Sequence, residues 1–348
     1  MISYVRVLCL CLGLGFLSAC GQLLDTSHTH SYETVYVVDA DGANTYQISP
    51  DLSCNYGAAD WSPDGTQLVY ASSDLGDLFV SPVTGDSVVN LTQTDDRSEH
   101  SPKWSSNGTY ISYYVGSGSS QALYVRLADG TNPTLILDNV TGYAWSPDET
   151  YLAVVSAEKL YLLTVVGVNQ GVLTQFIDTS VSVTWLSTTV MRYSYEGTDY
   201  LMTTSGTSVA LLDTTDPNWT LPEPQLAEKV SADGYYRVST GGDIQKILAH
   251  GTYAVLSDDN NTVISVYQQS VYRHDSDGSN SELLYSTSSG SLGNPILRAA
   301  TMLFVSGGGI YVGTISSGAV TQIATGLSVA LSSNGTKVAY VGFRRVSE

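Results

Sequence analysis

The sequence predicts an all-β fold, a single β-propeller of seven four-stranded blades, with eight or six blades as alternatives. Three observations support this prediction: a segment recurs about every 40–45 residues, each copy joins a tight turn to alternating apolar residues, and long helical periodicity is absent. A unit of that length with four strands is typical of a propeller blade, whose sheet cannot bury both of its apolar faces alone.

The repeated segment is clearest in four copies, at 59–70, 102–113, 143–154 and 329–340. Each copy runs from a Trp or Leu through a turn of the Ser-Pro-Asp-Gly type into a strand. Pro fixes φ and Gly accepts positive φ, so this turn can reverse the chain. A fainter copy surrounds Trp185, and the successive Trp at 61, 104, 145 and 185 are separated by 43, 41 and 40 residues. The positions expected to fill the layer between blades, called marker positions below, are Trp61, Trp104, Trp145, Trp185 and Leu331.

The two ends of the repeat region supply complementary halves of one blade. Residues 35–48 have the pattern of the later two strands of a blade, and residues 328–343 have that of the first two. Joining them predicts a composite blade that closes the ring and removes open sheet edges. The stretch 217–248 is ambiguous, because prolines interrupt it and 230–236 is a weak copy of the repeat. It is either an insertion or a degenerate eighth blade.

The first residues predict an export signal. Arg6 precedes an apolar run, Val7–Leu17, that is too short to span a bilayer as a helix. The run ends in Leu17-Ser18-Ala19-Cys20, which resembles the lipobox of bacterial lipoproteins. The resemblance implies cleavage before Cys20 and acylation of its thiol; the alternative is an ordinary signal peptide with an incidental cysteine. The predicted organisation is a lipoprotein signal peptide at 1–19, a lipidated cysteine and polar tether at 20–34, and the propeller at 35–345.

The same resemblance implies a location. Gly21, not Asp, follows the cysteine, which in a two-membrane bacterium implies the outer membrane, and we expect the periplasmic face. Of the four cysteines only Cys54 would remain free in the mature chain, so no intrachain disulfide is expected.

The charge of the chain excludes some partners. The 348 residues include 14 Lys+Arg against 33 Asp+Glu, a formal net charge of −19. Such a chain cannot lay a basic stripe along nucleic acid, and it favours a basic or neutral partner through electrostatic steering. Apolar residues make up 43%, which is ample for a core.

The repeat resembles the WD40-like, TolB-type propeller family. The closest copy combines Leu91-Thr92, Ser101-Pro102-Lys103-Trp104-Ser105-Ser106-Asn107-Gly108, Leu123-Tyr124-Val125 and Ala128-Asp129-Gly130. The resemblance implies a propeller over most of the chain after Thr34 and a role in the cell envelope, holding another lipoprotein or a peptidoglycan-linked protein. Only 21–34 precede the first predicted strand, so we expect no counterpart of the TolB amino-terminal domain, and the Tol–Pal role is not carried over.

The leading functional hypothesis is a lipid-anchored scaffold that binds a protein or peptide segment, without catalytic residues, cofactor or metal, and monomeric. Propellers present loops around a central axis, which suits docking. The rival is a carbohydrate-active lyase or hydrolase with its active site at the axis; a third possibility is a structural or sensory lipoprotein. A convergent His and Arg cluster at the axis would favour the enzyme, and the residues to test first are Arg126, Arg192, Arg273 and His274.

Other candidate sites have simpler explanations. His28 and His30 lie in the polar tether without a third metal ligand, and His100, His250 and His274 are expected to be scattered surface residues. The segments 39–42 and 275–278 resemble the start of a calcium loop but lack its later ligands, so we interpret them as turns. The sequence contains no nucleophile elbow, phosphate loop, dinucleotide fingerprint or paired-cysteine zinc motif.

Overall fold

Eight antiparallel sheets form the part of the chain that the structure describes, and seven of them have four strands. The structure is a computed structural model that describes residues 29–49, 54–72, 75–94, 97–175, 181–195, 198–206, 208–210, 225–228, 235–238, 244–248, 253–288 and 291–347. The predicted signal peptide at 1–19 and the lipidation site Cys20 lie outside these residues.

Blades 1 to 4 follow one another along the chain, and each strand pairs with the next. Blade 1 contains β3 (Cys54–Trp61), β4 (Gln67–Ser72), β5 (Leu78–Pro82) and β6 (Val89–Asn90). Blade 2 contains β7 (Glu99–Trp104), β8 (Tyr110–Val115), β9 (Ala122–Leu127) and β10 (Thr134–Leu137). Blade 3 contains β11 (Val140–Trp145), β12 (Tyr151–Ser156), β13 (Lys159–Thr164) and β14 (Asn169–Gln175). Blade 4 contains β15 (Ser182–Trp185), β16 (Val190–Tyr195), β17 (Thr198–Thr203) and β18 (Ser208–Ala210).

The remaining sheets include a three-stranded one and one built from both ends of the chain. Blade 5 contains β19 (Gln225–Glu228), β20 (Tyr235–Val238) and β21 (Ile244–Leu248). Blade 6 contains β22 (Tyr253–Leu256), β23 (Thr262–Tyr267), β24 (Ser270–Asp275) and β25 (Glu282–Ser286). Blade 7 contains β26 (Ile296–Arg298), β27 (Thr301–Ser306), β28 (Gly309–Thr314) and β29 (Val320–Thr325). The composite blade contains β30 (Leu327–Leu331), β31 (Lys337–Ser347), β1 (Thr29–Asp39) and β2 (Tyr46–Gln47).

The first strands of the blades line the axis of the ring. β3 contacts β7 and β30, β11 contacts β15, β19 contacts β22, and β26 contacts β30. Contacts of this kind between successive blades, together with the four-stranded meander order, are the architecture of a propeller. The predicted fold class is therefore confirmed, and the seven four-stranded sheets agree with the favoured count; the three-stranded blade 5 is an additional sheet in the stretch that the sequence left ambiguous.

In blades 1, 3 and 6 and in the composite blade, the turn after the first strand folds through one recurring set of side-chain hydrogen bonds. In blade 1 the Ser62 hydroxyl donates to Asp64 Oδ1 at 2.6 Å, and the Thr66 and Gln67 N–H groups donate to Asp64 Oδ1 and Ser62 Oγ at 3.0 and 2.9 Å. A short polar side chain that accepts from the backbone two residues on stabilises a turn locally. The repeat thus encodes its own chain reversal.

Apolar side chains fill the layers between blades. Trp61, Tyr70 and Phe79 of blade 1 pack with Val37 of the composite blade in one buried cluster. The Trp61 indole N–H also donates to the Ala330 carbonyl of the composite blade at 3.2 Å. Burial at such joints, rather than within one sheet, stabilises the ring.

The composite blade has the predicted arrangement. Its strand order is β2-β1-β31-β30, so the carboxy-terminal part supplies the two inner strands and the amino-terminal part the two outer ones. An ion pair between Lys337 Nζ and Asp39 Oδ1, 2.5 Å apart, also joins the two halves. The ring is closed by residues almost a whole chain apart in sequence.

Blade 5 occupies the stretch that the sequence left ambiguous. Its first strand contacts β17 of blade 4 and β22 of blade 6, which places the sheet between those blades. The hairpin at Gly278, in blade 6, approaches β21 so closely that a Cβ there would lie 1.9 Å from the Ile247 carbonyl oxygen. Gly85 of blade 1 approaches the Gln47 carbonyl of the composite blade in the same way. Blade 5 therefore packs against its neighbour as the other blades do, with one strand fewer in the described residues.

Helix is almost absent from the described part of the chain, where the one helical element is the 3-10 turn Gly118–Ser120. Within that part, no helix has the length and apolar character that crossing a membrane requires.

Candidate functional site

The first strands of blades 1, 2 and 7 each carry a charged side chain that bears on one carboxyl group. Asp60 belongs to β3, Lys103 to β7 and Arg298 to the end of β26. Against the raising effect of burial, both cations lower the pKa of the Asp60 carboxyl, Lys103 more than Arg298. The hydrogen bond from the Trp104 N–H to Asp60 holds the strand of Lys103 against β3. We call this group the axial cluster (Asp60, Lys103 and Arg298).

The Asp60 carboxylate is fixed to the neighbouring blade. Its Oδ2 accepts the backbone N–H of Trp104 in blade 2 at 2.8 Å. Burial raises the pKa of Asp60, and the charge of Lys103, the Trp104 N–H and the charge of Arg298 act in the opposite direction. Asp60 is therefore a structural link between two blades that also carries charge at the axis.

The two cations of the axial cluster are exposed and form no ion pair within the described residues. The Arg298 guanidinium donates to the carbonyl of Leu297, its own neighbour, at 2.9 Å. The ion pairs that the structure does describe lie elsewhere, between Arg273 and Glu282 and between Lys337 and Asp39. Lys103 and Arg298 therefore keep charge that a ligand could use.

One indole donor beside the axial cluster lacks an acceptor. The Nε1 atom of Trp104 is buried and makes no hydrogen bond. The other three marker indoles each donate to the preceding blade: Trp61 to the Ala330 carbonyl at 3.2 Å, Trp145 to Ser112 Oγ at 2.9 Å and Trp185 to the Ala144 carbonyl at 3.0 Å. By this equivalence the Trp104 donor faces β3, the strand of Asp60. An unsatisfied buried donor is costly and calls for an explanation.

The joint between blades 2 and 3 presents uncharged polar groups. Tyr143, on β11, shares a 2.9 Å hydrogen bond with Ser112, and burial raises its pKa. Burial also raises the pKa of Tyr114 to about 12. The His100 ring lies 5.6 Å from that of Tyr114, and burial lowers its pKa. These hydroxyls and the imidazole are neutral at neutral pH, so the charge at this part of the axis resides in the axial cluster.

The four residues that the sequence singled out for an enzyme do not meet at the axis. Arg126, Arg192, Arg273 and His274 lie on second or third strands of blades 2, 4 and 6. Arg126 donates to the Gly130 carbonyl, and Arg273 donates to the Ile315 and Ser316 carbonyls of blade 7 at 2.6 Å each. Arg126 thus stabilises a hairpin and Arg273 a blade joint, and the four residues do not form the convergent cluster that the enzyme hypothesis needed.

The expectation that the histidines are scattered surface residues is wrong for His274. Its side chain is 7% exposed, its Nε2 pairs with Ser265 Oγ at 2.8 Å, and burial lowers its pKa. Because the strand pattern places residue 274 on a face packed inside the ring, burial outweighs the usual preference of His for solvent. His250 lies outside the described residues.

The acidic segments at 39–42 and 275–278 are hairpin turns. Asp39 accepts from Asn44 at 2.7 Å and pairs with Lys337, and Asp41 accepts the Ala43 N–H at 2.9 Å. Asp277 accepts the Ser279 N–H at 2.9 Å. Across the described residues, no three His, Cys, Asp or Glu side chains are grouped as metal ligands would be.

The axial cluster leaves only a weak signal in the sequence. At the position before the marker residue, other blades carry Ala144, Thr184 and Ala330, whereas blades 1 and 2 carry Asp60 and Lys103. The signal available in the sequence was a charged residue at a position where the other blades carry a small one. Arg298 was hidden because the turn after β26 has lost the repeated Ser and Asp.

A buried carboxylate pair between blades 1 and 2 was also missed. Asp77 is 6% exposed and Glu99 2% exposed. The Thr94 hydroxyl lies between them, 3.3 Å from Asp77 Oδ1 and 2.8 Å from Glu99 Oε1. Burial raises the pKa of Glu99, Thr94 lowers it, and the charge of Asp77 raises it further. In the sequence these acids look like solvated loop residues.

Solved structures share this fold at low identity. The C-terminal WD40 domain of Sif2 matches 83% of this chain and 96% of its own, with a TM-score of 0.57 and 13% identity. The Dos1 propeller matches 86% and 93%, with a TM-score of 0.55 and 14% identity. An oligogalacturonate lyase in complex with manganese matches 90% and 98%, with a TM-score of 0.52 and 11% identity. These likenesses show the propeller fold alone.

The TolB-type assignment stays a prediction. A protein assigned as TolB from Agrobacterium tumefaciens matches 91% of this chain and 100% of its own, with 16% identity, but its TM-score of 0.45 is too low to support an argument. No protein-family model and no curated protein matches the chain.

Proposed function

We propose that the chain is a lipid-anchored propeller of the bacterial envelope that binds a protein or peptide segment at its axis. The axial cluster is the observation that carries the proposal. Two exposed cations and one partly buried carboxylate are held on first strands, and neither cation forms an ion pair within the described residues. Groups held on strands of a closed ring are positioned in advance, which lowers the entropic cost of binding.

A scaffold is favoured over an enzyme by what the axis contains. Hydrolysis of a glycosidic bond commonly uses a pair of carboxyl groups that flank the scissile bond. In the described residues the axial cluster offers one carboxylate, which already accepts a backbone N–H, and two cations. This set suits electrostatic recognition of a bound segment.

The location belongs to the proposal as well. The lipobox-like segment ending at Cys20 supports acylation there, and Gly21 supports the outer membrane, with the propeller on the periplasmic face. Acyl chains are needed in this scheme, because a chain with a net charge of −19 is repelled by anionic headgroups.

Photo-crosslinking from two positions tests the binding function. A photoreactive amino acid is placed at Lys103 on β7 or, as a control, at Lys159 on β13, the third strand of blade 3. The full chain is expressed in its own envelope and irradiated. We expect discrete adducts from position 103 and none from 159. Equal adducts from both positions, or none from either, would contradict binding at the axis.

Acylation is tested with Cys20→Ala. The full chain should incorporate labelled palmitate and sediment with outer membranes, and the variant should lose both properties. Cys54→Ala, which leaves the lipobox-like segment intact, is the control and should retain both. Labelling of Cys20→Ala at the level of the unaltered chain would exclude the anchor.

The rival function is a carbohydrate-active lyase or hydrolase that works at the axis. The oligogalacturonate lyase shows that this fold is compatible with such chemistry, and exposed cations suit an acidic sugar. Release of unsaturated or reducing sugar ends from polysaccharide by the purified chain, lost in Lys103→Met, would favour the rival.

A further inference from the structure

We infer that the axial cluster is a carboxylate-binding subsite, which takes the side chain of one Asp or Glu in the partner's segment. This inference rests on the proposed binding function and names the group that the site recognises.

The first argument is the distribution of charge along the axis. Among the described first strands, the charged side chains are Asp60, Glu99, Lys103 and Arg298, apart from Glu228, whose side chain is not described. Glu99 is buried and bonded to Thr94, and Asp60 is bonded to Trp104. The two cations are the exposed members, so the accessible charge at this point of an acidic chain is positive.

The second argument is the unsatisfied donor. The buried Trp104 N–H would be satisfied by an acceptor that enters between blades 1 and 2. A carboxylate has two oxygens and about four acceptor positions, so it can accept from a cation and from an indole at once. A neutral amide oxygen can accept from both groups but brings no charge to balance the cations, and a cationic side chain has no acceptor to offer.

The charge of the whole chain restricts the partner further. A net charge of −19 disfavours a strongly acidic segment at long range. The recognised Asp or Glu therefore belongs to a segment that is otherwise neutral or basic.

Asp60 opposes this ligand. Its own carboxylate repels an incoming one, while its structural task is to accept the Trp104 N–H. Asn retains an acceptor for that N–H and removes the charge. Asp60→Asn should therefore tighten the binding of a carboxylate, a gain that misfolding cannot produce.

Four peptide sets test the subsite. Each set contains amidated decapeptides of random sequence lacking Asp and Glu, except for a fixed central residue that is Asp, Asn, Lys or Ala. The immobilised full chain should retain the Asp set about tenfold more than the Asn set, as expected for a charge-assisted hydrogen bond.

Variants locate the preference. The Asp-to-Asn ratio should fall towards one in Lys103→Met and in Arg298→Met, and it should rise about threefold or more in Asp60→Asn. Lys159→Met makes the same charge change on a third strand and should leave the ratio unchanged.

The outcomes separate the two levels of the proposal. Retention of all four sets without preference, or a preference that survives Lys103→Met, overturns the subsite and leaves peptide binding in place. Retention of no set overturns peptide binding itself. A parallel arm with trigalacturonate distinguishes the source of the carboxylate: Lys103-dependent binding of the sugar without any peptide would overturn the peptide assignment and favour the rival function.

Discussion

Carboxylates in two regions of the ring have opposite pKa shifts. In the turns, hydrogen-bond donors hold the pKa of Asp64, Asp148 and Asp259 below the ordinary value of 3.8. At the first strands, burial raises the pKa of Asp60 above 3.8 and that of Glu99 above 4.5. The same functional group is stabilised as a charge in one region and disfavoured as a charge in the other.

The opposite directions of these pKa shifts reflect the different surroundings of the carboxylates in the two regions. A turn carboxylate accepts two or three N–H or O–H groups in water, so its charge is well solvated and strengthens a local fold. A first-strand carboxylate is packed between blades, where removal from water outweighs the hydrogen bonds that it accepts. The turns therefore contribute stability, and the axis retains charge at a cost that recognition of a ligand would explain.

These opposite pKa shifts predict opposite changes of folding stability with pH. The turn aspartates contribute stability above their unfolded pKa of 3.8, and they lose it as the pH falls through their lower folded values. Asp60 and Glu99 contribute most to stability when the pH is below their unfolded pKa values of 3.8 and 4.5. They lose this contribution as the pH rises through their raised pKa values in the folded protein.

The largest test removes three turn carboxylates. Asp64, Asp148 and Asp259 each accept a serine hydroxyl, at 2.6, 2.7 and 2.6 Å. Their simultaneous replacement by Ala should lower the free energy of unfolding at neutral pH by about 3 kcal/mol, about 1 kcal/mol each, because distant sites add. Urea denaturation measures the loss.

The matched control is Asp86→Ala, in an exposed turn of blade 1 where the structure describes no hydrogen bond to the carboxylate. Its effect should be within about 0.5 kcal/mol of zero. If each turn variant lost no more than this control, the hydrogen bonds would not stabilise the turns, and the comparison would fail.

The next test neutralises a buried carboxylate. Glu99→Gln keeps an acceptor for the Thr94 hydroxyl and removes a charge that burial disfavours. We expect a gain of about 1 kcal/mol in the free energy of unfolding at pH 7, and no gain near pH 4, where Glu99 itself binds a proton. Glu158→Gln, in an exposed turn of blade 3, should change neither value. A gain of equal size at both pH values would refute the role of ionisation.

The test with the smallest expected effect asks whether the ion pair with Lys337 or the turn itself lowers the pKa of Asp39. Lys337, followed by Asn44, lowers the pKa of Asp39 through side-chain hydrogen bonds. Lys337→Met should raise the Asp39 pKa towards 3.8 and cost about 0.5 kcal/mol of stability, less in 1 M salt. Carboxyl-carbon NMR titration measures the first effect, and Asn44→Ala should produce a weaker one. An unchanged Asp39 pKa in Lys337→Met would show that the turn alone sets it.

The architecture was readable from the sequence because its information is local. Marker residues such as Trp61, the serine-aspartate turns and the alternating strands recur in each copy, and each copy specifies one sheet. The composite blade was predictable because the missing halves at 35–48 and 328–343 complement each other. Blade 5 was ambiguous because prolines and a weak copy obscure the repeat there, while its packing against Gly278 becomes visible only in three dimensions.

The site was not readable in the same way. Asp60, Lys103 and Arg298 are far apart in sequence, and only ring closure links blade 7, through the composite blade, to blades 1 and 2. Choosing Arg126 and Arg273 by residue type alone ignored the strand number within the blade, which decides whether a side chain reaches the axis. The repeat indicates which strand of a blade a residue belongs to. Counting strands from each marker residue places Arg126 and Arg273 on third strands, away from the axis.

The composite blade imposes an order on synthesis. Among the described strands, β1 precedes all others in the chain and its inner neighbour β31 follows them all, so β1 has no inner partner until β31 has been synthesised. A chain without β31 would leave the edge of β1 unpaired, and such an edge can pair with another chain. Loss of β31 should therefore open the ring and favour aggregation even though the blades before it are complete.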